Sequence, residues 1–278
     1  MSIKNILVSY NALPSSQAAL DLAALMARKY DAHLTGLLSW GPSRIAGALG
    51  PWVTGDLLDG LREAEARRRA DIAGAFADAS AALAHDRPGK VHWMDLGGDA
   101  DESVMEAARL YDIVVMGRHE SSDETAHIAP HPDVVALQSG RPVLIVPPDY
   151  RTDRLLERAL VAWDGGRAAA RAVSDAMTLL ESKSHVTVFT AGDRGRARRR
   201  EGLDIVAHLA RHGVRTDWKH VSRPQGGVAA AILAAAAAEN AGLLVMGAYE
   251  RPKFAEDLIG GVTRTLLAEA PIPVLMAH

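Results

Sequence analysis

Gly247, Gly260 and Gly261 bracket a stretch that leads from an apolar run ending in Met246 to an amphipathic run opening with Gly261, Val262 and Thr263. Glycines between a strand and a helix let backbone N–H groups close on an anion, and the helix N-terminus adds its dipole. The chemistry so indicated is phosphate binding. Glu250, inside the same stretch, works against it. A side chain where the backbone needs positive φ costs about 1–2 kcal/mol relative to glycine. A carboxylate about 4 Å from a phosphate charge costs about 4 kcal/mol at an effective dielectric near 20. Arg251 and Lys253 could offset part of the second cost. The alternative is structural: glycines also appear where a strand and a helix approach closely. The sequence leaves both readings open.

Other clusters carry weaker signals. Arg118–Asp133 collects His119, Asp123, Glu124, His127 and His131, all able to ligate a metal. Pro130 and Pro132 break the regular helix that His127 and His131 would need to share a face, so a solvated loop is expected. Asp193–Glu201 is basic, and a solvated helix face is expected there. Arg62–Asp71 mixes both signs and reads as a helix surface with i,i+4 pairs. Gly97–Ser103 reads as a loop followed by acids in a helix's first turn. Trp40 and Trp52 are expected to pin a loop to the body. Neither a dinucleotide-binding glycine fingerprint, nor a phosphate-loop lysine motif, nor a nucleophile elbow occurs, so no catalytic residue is expected.

These residues need a scaffold, and the chain writes one twice. Tyr111–Glu120 (YDIVVMGRHE) matches Ala241–Glu250 (AGLLVMGAYE) at an offset of 130 residues. Asn5–Asn11 (NILVSYN) matches Ala159–Gly165 (ALVAWDG), with Asn11 against Asp164 at an offset of 153. The difference of 23 residues places extra length within the first copy, around the Gly/Pro-rich Gly41–Asp56. Each copy closes on an apolar run, RPVLIV at Arg141–Val146 and IPVLMA at Ile272–Ala277. Pro147–Glu157 reads as the connector, giving domains 1–150 and 151–278.

Within each copy, strand and helix patterns alternate. Ala19, Leu22, Ala23, Met26, Ala27 and Tyr30 form one helical stripe, and Ala172, Val173, Ala176, Met177 and Leu180 another. Strands are expected at Ala159–Trp163, His185–Thr190, Val214–His220, Leu243–Met246 and Val274–Ala277, with a helix starting at Gly261. Short apolar runs without alternation fit strands covered on both faces. The fold class is therefore α/β: two tandem, doubly wound parallel-sheet sandwiches of about five strands each. The last strands, Val143–Val146 and Val274–Ala277, are expected to pair with each other and so protect two open edges.

Composition narrows the function. Of 278 residues, 48% are hydrophobic and 23% charged, as in a globular chain. The net charge of −3 excludes the basic footprint of a nucleic-acid binder. With no cysteine, disulfides, thiolate metal sites and cysteine nucleophiles are excluded. The longest apolar stretch, Val228–Ala238, is too short to span a bilayer, and no apolar signal segment precedes the first strand. A cytoplasmic protein is expected.

The strand openings ILVSYN and LVAWDG, the VMG strand ends, the two closing runs and the series Gly247, Gly260, Gly261, Val262, Thr263 together resemble the universal stress proteins in their tandem form. The family's nucleotide-binding members carry Gly-x2-Gly-x9-Gly-Ser/Thr here; this chain has Glu250 at the second glycine and Gly261 at the Ser/Thr. The resemblance implies a Rossmann-like fold and a non-catalytic regulatory module, with an internal pseudo-dimer and room for a homodimer. It also implies ATP or a related adenine nucleotide, with or without magnesium, in the second domain. Asp164 would then hold the adenine or ribose end, and Thr190 would line the base pocket. Gly247 and Gly260 would let the backbone wrap the phosphates, Gly261, Val262 and Thr263 would present amides at the helix start, and Ala162 and Met246 would belong to the same binding site. In the first copy Asn11 replaces the acid, Glu120 the glycine, and His127–Asp133 holds no glycine pair, so that site is expected to be dead. A slow ATPase or nucleotide-transfer enzyme using the same pocket, and a scaffold without ligand, are the alternatives.

Overall fold

The computed structural model describes residues 2–41, 55–120, 122, 125–192, 204–248 and 261–278. The first half runs β1 (Asn5–Ser9), α1 (Pro14–Tyr30), β2 (His33–Trp40), α2 (Gly55–Asp86), β3 (Val91–Gly97), α3 (Ala100–Ala108), β4 (Ile113–Gly117), a 3-10 turn at Ala126–Ile128, α4 (Pro132–Gln138) and β5 (Val143–Val146). The second runs β6 (Arg158–Ala162), α5 (Arg167–Glu181), β7 (His185–Ala191), α6 (Ile205–Arg211), β8 (Thr216–Val221), α7 (Gly227–Ala238), β9 (Leu244–Gly247), α8 (Gly261–Glu269) and β10 (Val274–Ala277). Val214 lies outside β8, where a strand residue was expected. Its N–H turns back to Leu209 O and closes the end of α6 instead.

The two parallel five-stranded sheets expected from the sequence are joined edge to edge. The strand order is β3-β2-β1-β4-β5-β10-β9-β6-β7-β8, one sheet of ten strands. All pairings are parallel except β5 with β10, where Val274 faces Ile145, Leu275 faces Leu144 and Met276 faces Val143. Leu275 and Met276 are fully buried. Desolvation of this seam leaves their N–H and C=O groups no water to bond, so the antiparallel ladder satisfies them. Further links cross between the halves. Arg118 donates a guanidinium N–H to Ala270 O, and the Tyr30 and Ser182 hydroxyls meet at 3.1 Å.

Two cores lie on the two faces of this sheet. One is built by Ile6, Val8, Val161 and Val188 under α1 and α5, the other by Leu7, Val114, Leu160 and Leu244 under α3, α7 and α8. Adjacent strand residues enter opposite cores, as the pleat requires. The helical stripe of α1 is buried from Ala19 to Ala27, with Tyr30 packed at its end. Asp99 caps α3 by accepting from the Asp101 and Glu102 backbone N–H groups, and those two acids sit in the first turn, where the helix dipole favours them.

Candidate functional site

In each half the first strand and the fourth lie side by side, and the chain leaves them in opposite directions across the sheet. That reversal of strand order opens a crevice at their carboxyl ends. In the first half the crevice lies beyond β1 and β4, in the second beyond β6 and β9.

Both crevices share one backbone device. After β1, Ala12 adopts a left-handed φ of 61°, and its repeat counterpart Gly165 after β6 has φ 75°. The residue before each makes a side-chain turn. Leu13 N–H donates to Asn11 Oδ1 at 3.2 Å, and Gly166 N–H donates to Asp164 Oδ1 at 2.8 Å. Sequence reading missed Ala12, although its alignment with Gly165 was available as a signal. Asp164 is thus a turn former as well as an acid at the strand tip.

The glycines ending the fourth strands have a packing cause. A Cβ on Gly117 would stand 2.4 Å from the Ser15 carbonyl carbon, and one on Gly247 would stand 2.4 Å from both Ala168 C and Ala169 N. Strand and helix backbones touch there, in both halves alike. Gly247 is therefore required by close approach whether or not a ligand binds. Gly261 is different: a Cβ there would meet nothing within 4 Å among the described residues.

The first crevice is filled by its own chain. Glu120 reaches back to α1 and accepts the Ser15 N–H at 3.0 Å, taking the position an external anion would occupy. No side chain caps α1 from Leu13, so this carboxylate satisfies one of its open amides. Asn11 Nδ2 donates to Ile128 O at 2.9 Å and draws the Ala126–Ile128 turn over the opening. What remains, lined by Asn11, Ser15, Gly117 and Glu120 among others, measures about 20 Å3. That is room for about one water. The sequence marked Glu120 only as a missing glycine; its bond to Ser15 spans 105 positions and has no local signal.

In the second half the sheet brings several expected residues together. Ala162 and Met246 are register partners on β6 and β9, and Gly247 and Asp164 follow at the same tips. Because α8 joins parallel β9 and β10, it runs back along them, so Gly261, Val262 and Thr263 begin at the carboxyl-end side. Gly261 and Val262 are exposed and Thr263 is buried. Thr190 lies one residue before the end of β7, one strand away, but its hydroxyl is 2.8 Å from His220 Nδ1 on β8. The threonine is buried, and that bond commits it to the outer strand. Gly260 and Glu250 lie outside the described residues, as do Asp193–Glu201 and Trp52.

The described histidines of the Arg118–Asp133 stretch divide between two places. His119 and His131 stack with ring centroids 4.2 Å apart, and His131 Nδ1 lies 3.0 Å from Asp101 Oδ2. His127 instead lines a small cavity with Trp40 and Arg69. Burial, then the charge of Arg68, lowers its pKa. Among the described residues no three His, Asp or Glu side chains gather as a metal site; Asp123 and Glu124 lie outside them. Trp40 is held to the body by a 2.5 Å bond to Asp95 and by Arg69 over its ring at 4.3 Å.

Comparison with known proteins agrees with this architecture. A universal stress protein from Archaeoglobus fulgidus DSM 4304 is 17% identical and superposes with a TM-score of 0.72, over 99% of this chain and 96% of its own. A functionally unknown protein from Pseudomonas aeruginosa PAO1 is 19% identical with a TM-score of 0.58, over 99% of this chain and 92% of its own. Another universal stress protein, described in complex with cAMP, is 17% identical with a TM-score of 0.29, covering 42% of this chain and 74% of its own, too slight a likeness to carry its ligand here. No curated protein matches the chain. The model of the universal stress protein family matches residues 2–147 and again residues 156–278. Two matches in tandem, on two halves with one topology, mean that the chain belongs to the universal stress protein family.

Proposed function

We propose that this tandem universal stress protein is a non-catalytic binding and regulatory module, and that its second half takes ATP or a related adenine nucleotide. The observation that carries the reading is what gathers at the second crevice. There β6, β9 and α8 bring Asp164, Gly247 and an exposed helix start to one side of the sheet. A helix N-terminus there favours the phosphates, and Asp164 can accept from ribose hydroxyls or an adenine amino group. Binding would act by favouring one arrangement of the surface around these tips. We further propose the division into domains 1–150 and 151–278, one nucleotide per chain, and a cytoplasmic location.

The test uses a substitution that keeps the fold. Asn11 shows that an asparagine makes the same turn, so Asp164→Asn preserves the bond to Gly166 while removing the charge. ATP at 100 times its dissociation constant should stabilise the wild-type chain by about 2.7 kcal/mol. Asp164→Asn should need more ATP for the same effect, with no change in stability without it. A melting temperature indifferent to ATP would leave a ligand-free scaffold instead. Magnesium-dependent phosphate release abolished by Asp164→Asn would make the protein an ATPase.

A further inference from the structure

The opposite end of the first half carries a groove of about 680 Å3, at the amino-terminal ends of β1 and β2 and beside the C-terminal end of α3. Thr35, Met94, Leu96, Ala107 and Tyr111 form its walls. Leu110 stands at the rim, 82% exposed. The volume lies within the range of small-molecule sites.

The fold does not require this opening, because the second half fills the equivalent place. There Thr187 occupies the register position of Thr35, and its hydroxyl donates to Glu239 at 3.2 Å. Arg158 donates to the same carboxylate at 2.9 Å, and Lys219 completes the pairing. The first half has Asn5 where Arg158 stands and Met94 where Lys219 stands. Arg109, the C-cap of α3, stands where Glu239 caps α7 and is not among the lining residues, so the charged plug is not rebuilt.

The groove's polar end defines what it can hold. His33 Nδ1 and His92 Nε2 lie 3.0 Å apart, so the two rings share one hydrogen. In the uncharged pair one outer ring nitrogen is then a donor and the other an acceptor, whichever tautomer is chosen. A hydroxyl, which both donates and accepts, can pair with either outer nitrogen whichever tautomer it meets. Glu106 is the one carboxylate among the lining residues, and no lysine or arginine joins it, so anions are disfavoured. We infer that this groove binds an uncharged, apolar small molecule bearing a hydroxyl group, its ring or chain against Met94 and Leu96 and its hydroxyl at the His33–His92 pair.

The site lies at the far end of the strands from the proposed nucleotide and stands independently of it. Equilibrium dialysis of the full chain with 2-naphthol, naphthalene and 2-naphthoate tests it. Saturable binding of one 2-naphthol per chain is expected, with 2-naphthoate weaker. His92→Ala should weaken 2-naphthol about tenfold, the loss of one hydrogen bond, and leave naphthalene unchanged. Met94→Lys, which imports the second half's residue, should abolish binding. If that variant unfolds, Leu110→Asp at the exposed rim should still weaken 2-naphthol. Absence of saturable 2-naphthol binding, or equal binding to wild type and His92→Ala, would overturn the inference, as would 2-naphthoate binding as tightly as 2-naphthol.

Discussion

Replacing Gly247 by alanine separates a packing glycine from a ligand glycine. The new Cβ would lie 2.4 Å from Ala168 C and from Ala169 N, and 2.8 Å from Ala168 Cβ. Ordinary carbon contacts begin near 3.5 Å, so β9 and the first turn of α5 must separate by about 1 Å. Neither side is a flexible side-chain end; both are backbone within a sheet and a helix. Overpacking of this kind costs about 1–3 kcal/mol, and a purely backbone clash belongs at the upper end. Gly117→Ala meets Ser15 C at the same 2.4 Å and should cost the same, about 2–3 kcal/mol. Urea unfolding without nucleotide measures both. If the halves unfold together, the midpoints fall by similar amounts with unchanged slope. A Gly247→Ala chain as stable as wild type would refute the argument, because a glycine kept only for phosphate has no reason to matter without ligand.

Two more outcomes follow from side chains of the first half and the seam. Glu120→Ala removes the carboxylate that caps α1 and should lower stability by about 1 kcal/mol, with Glu120→Gln losing less because an acceptor remains; urea midpoints equal for all three chains would contradict the capping role. Lys183, beside the Tyr30–Ser182 link, has its pKa lowered from 10.5 to about 8, chiefly by burial and also by Lys29. The unfolded chain therefore binds one more proton between about pH 8 and 10.5, so stability rises with pH across that window. The gain is on the order of 3 kcal/mol at 1.36 kcal/mol per unit. Below about pH 8 the cost of the buried charge is fully present. Subtracting the profile of Lys183→Met from that of wild type should show this rise, and a flat difference would exclude it.

The expected pairing of the last strands was legible because each copy ends on a short run, Val143–Val146 and Val274–Ala277, with no polar residue to face water on an open edge. The stripes of α1 and α5 were legible for a similar reason: burial of one helix face imposes a 3–4 spacing that any window displays. The candidate site was legible only in outline. Asp164 and Gly247 follow or end their strands and Gly261 opens α8, but their surroundings differ. Asp164 builds a turn, Gly247 yields to Ala168, and Gly261 has an open surrounding among the described residues. Thr190 shows the limit most directly, since nothing local said that its hydroxyl would turn to His220.

Amino-acid order by itself determined the duplication, the alternation of strands and helices, and which faces turn inward, because apolar periodicity is written within a few residues. Tertiary structure alone decided that Glu120 would occupy the amide of Ser15. It also decided that Glu239 would plug one sheet end while the other stayed open. Each of these rests on how closely two segments far apart in the chain approach, 105 residues for Glu120 with Ser15 and 52 for Glu239 with Thr187. That approach is set by the packing of the whole sheet and is not encoded in any local spacing.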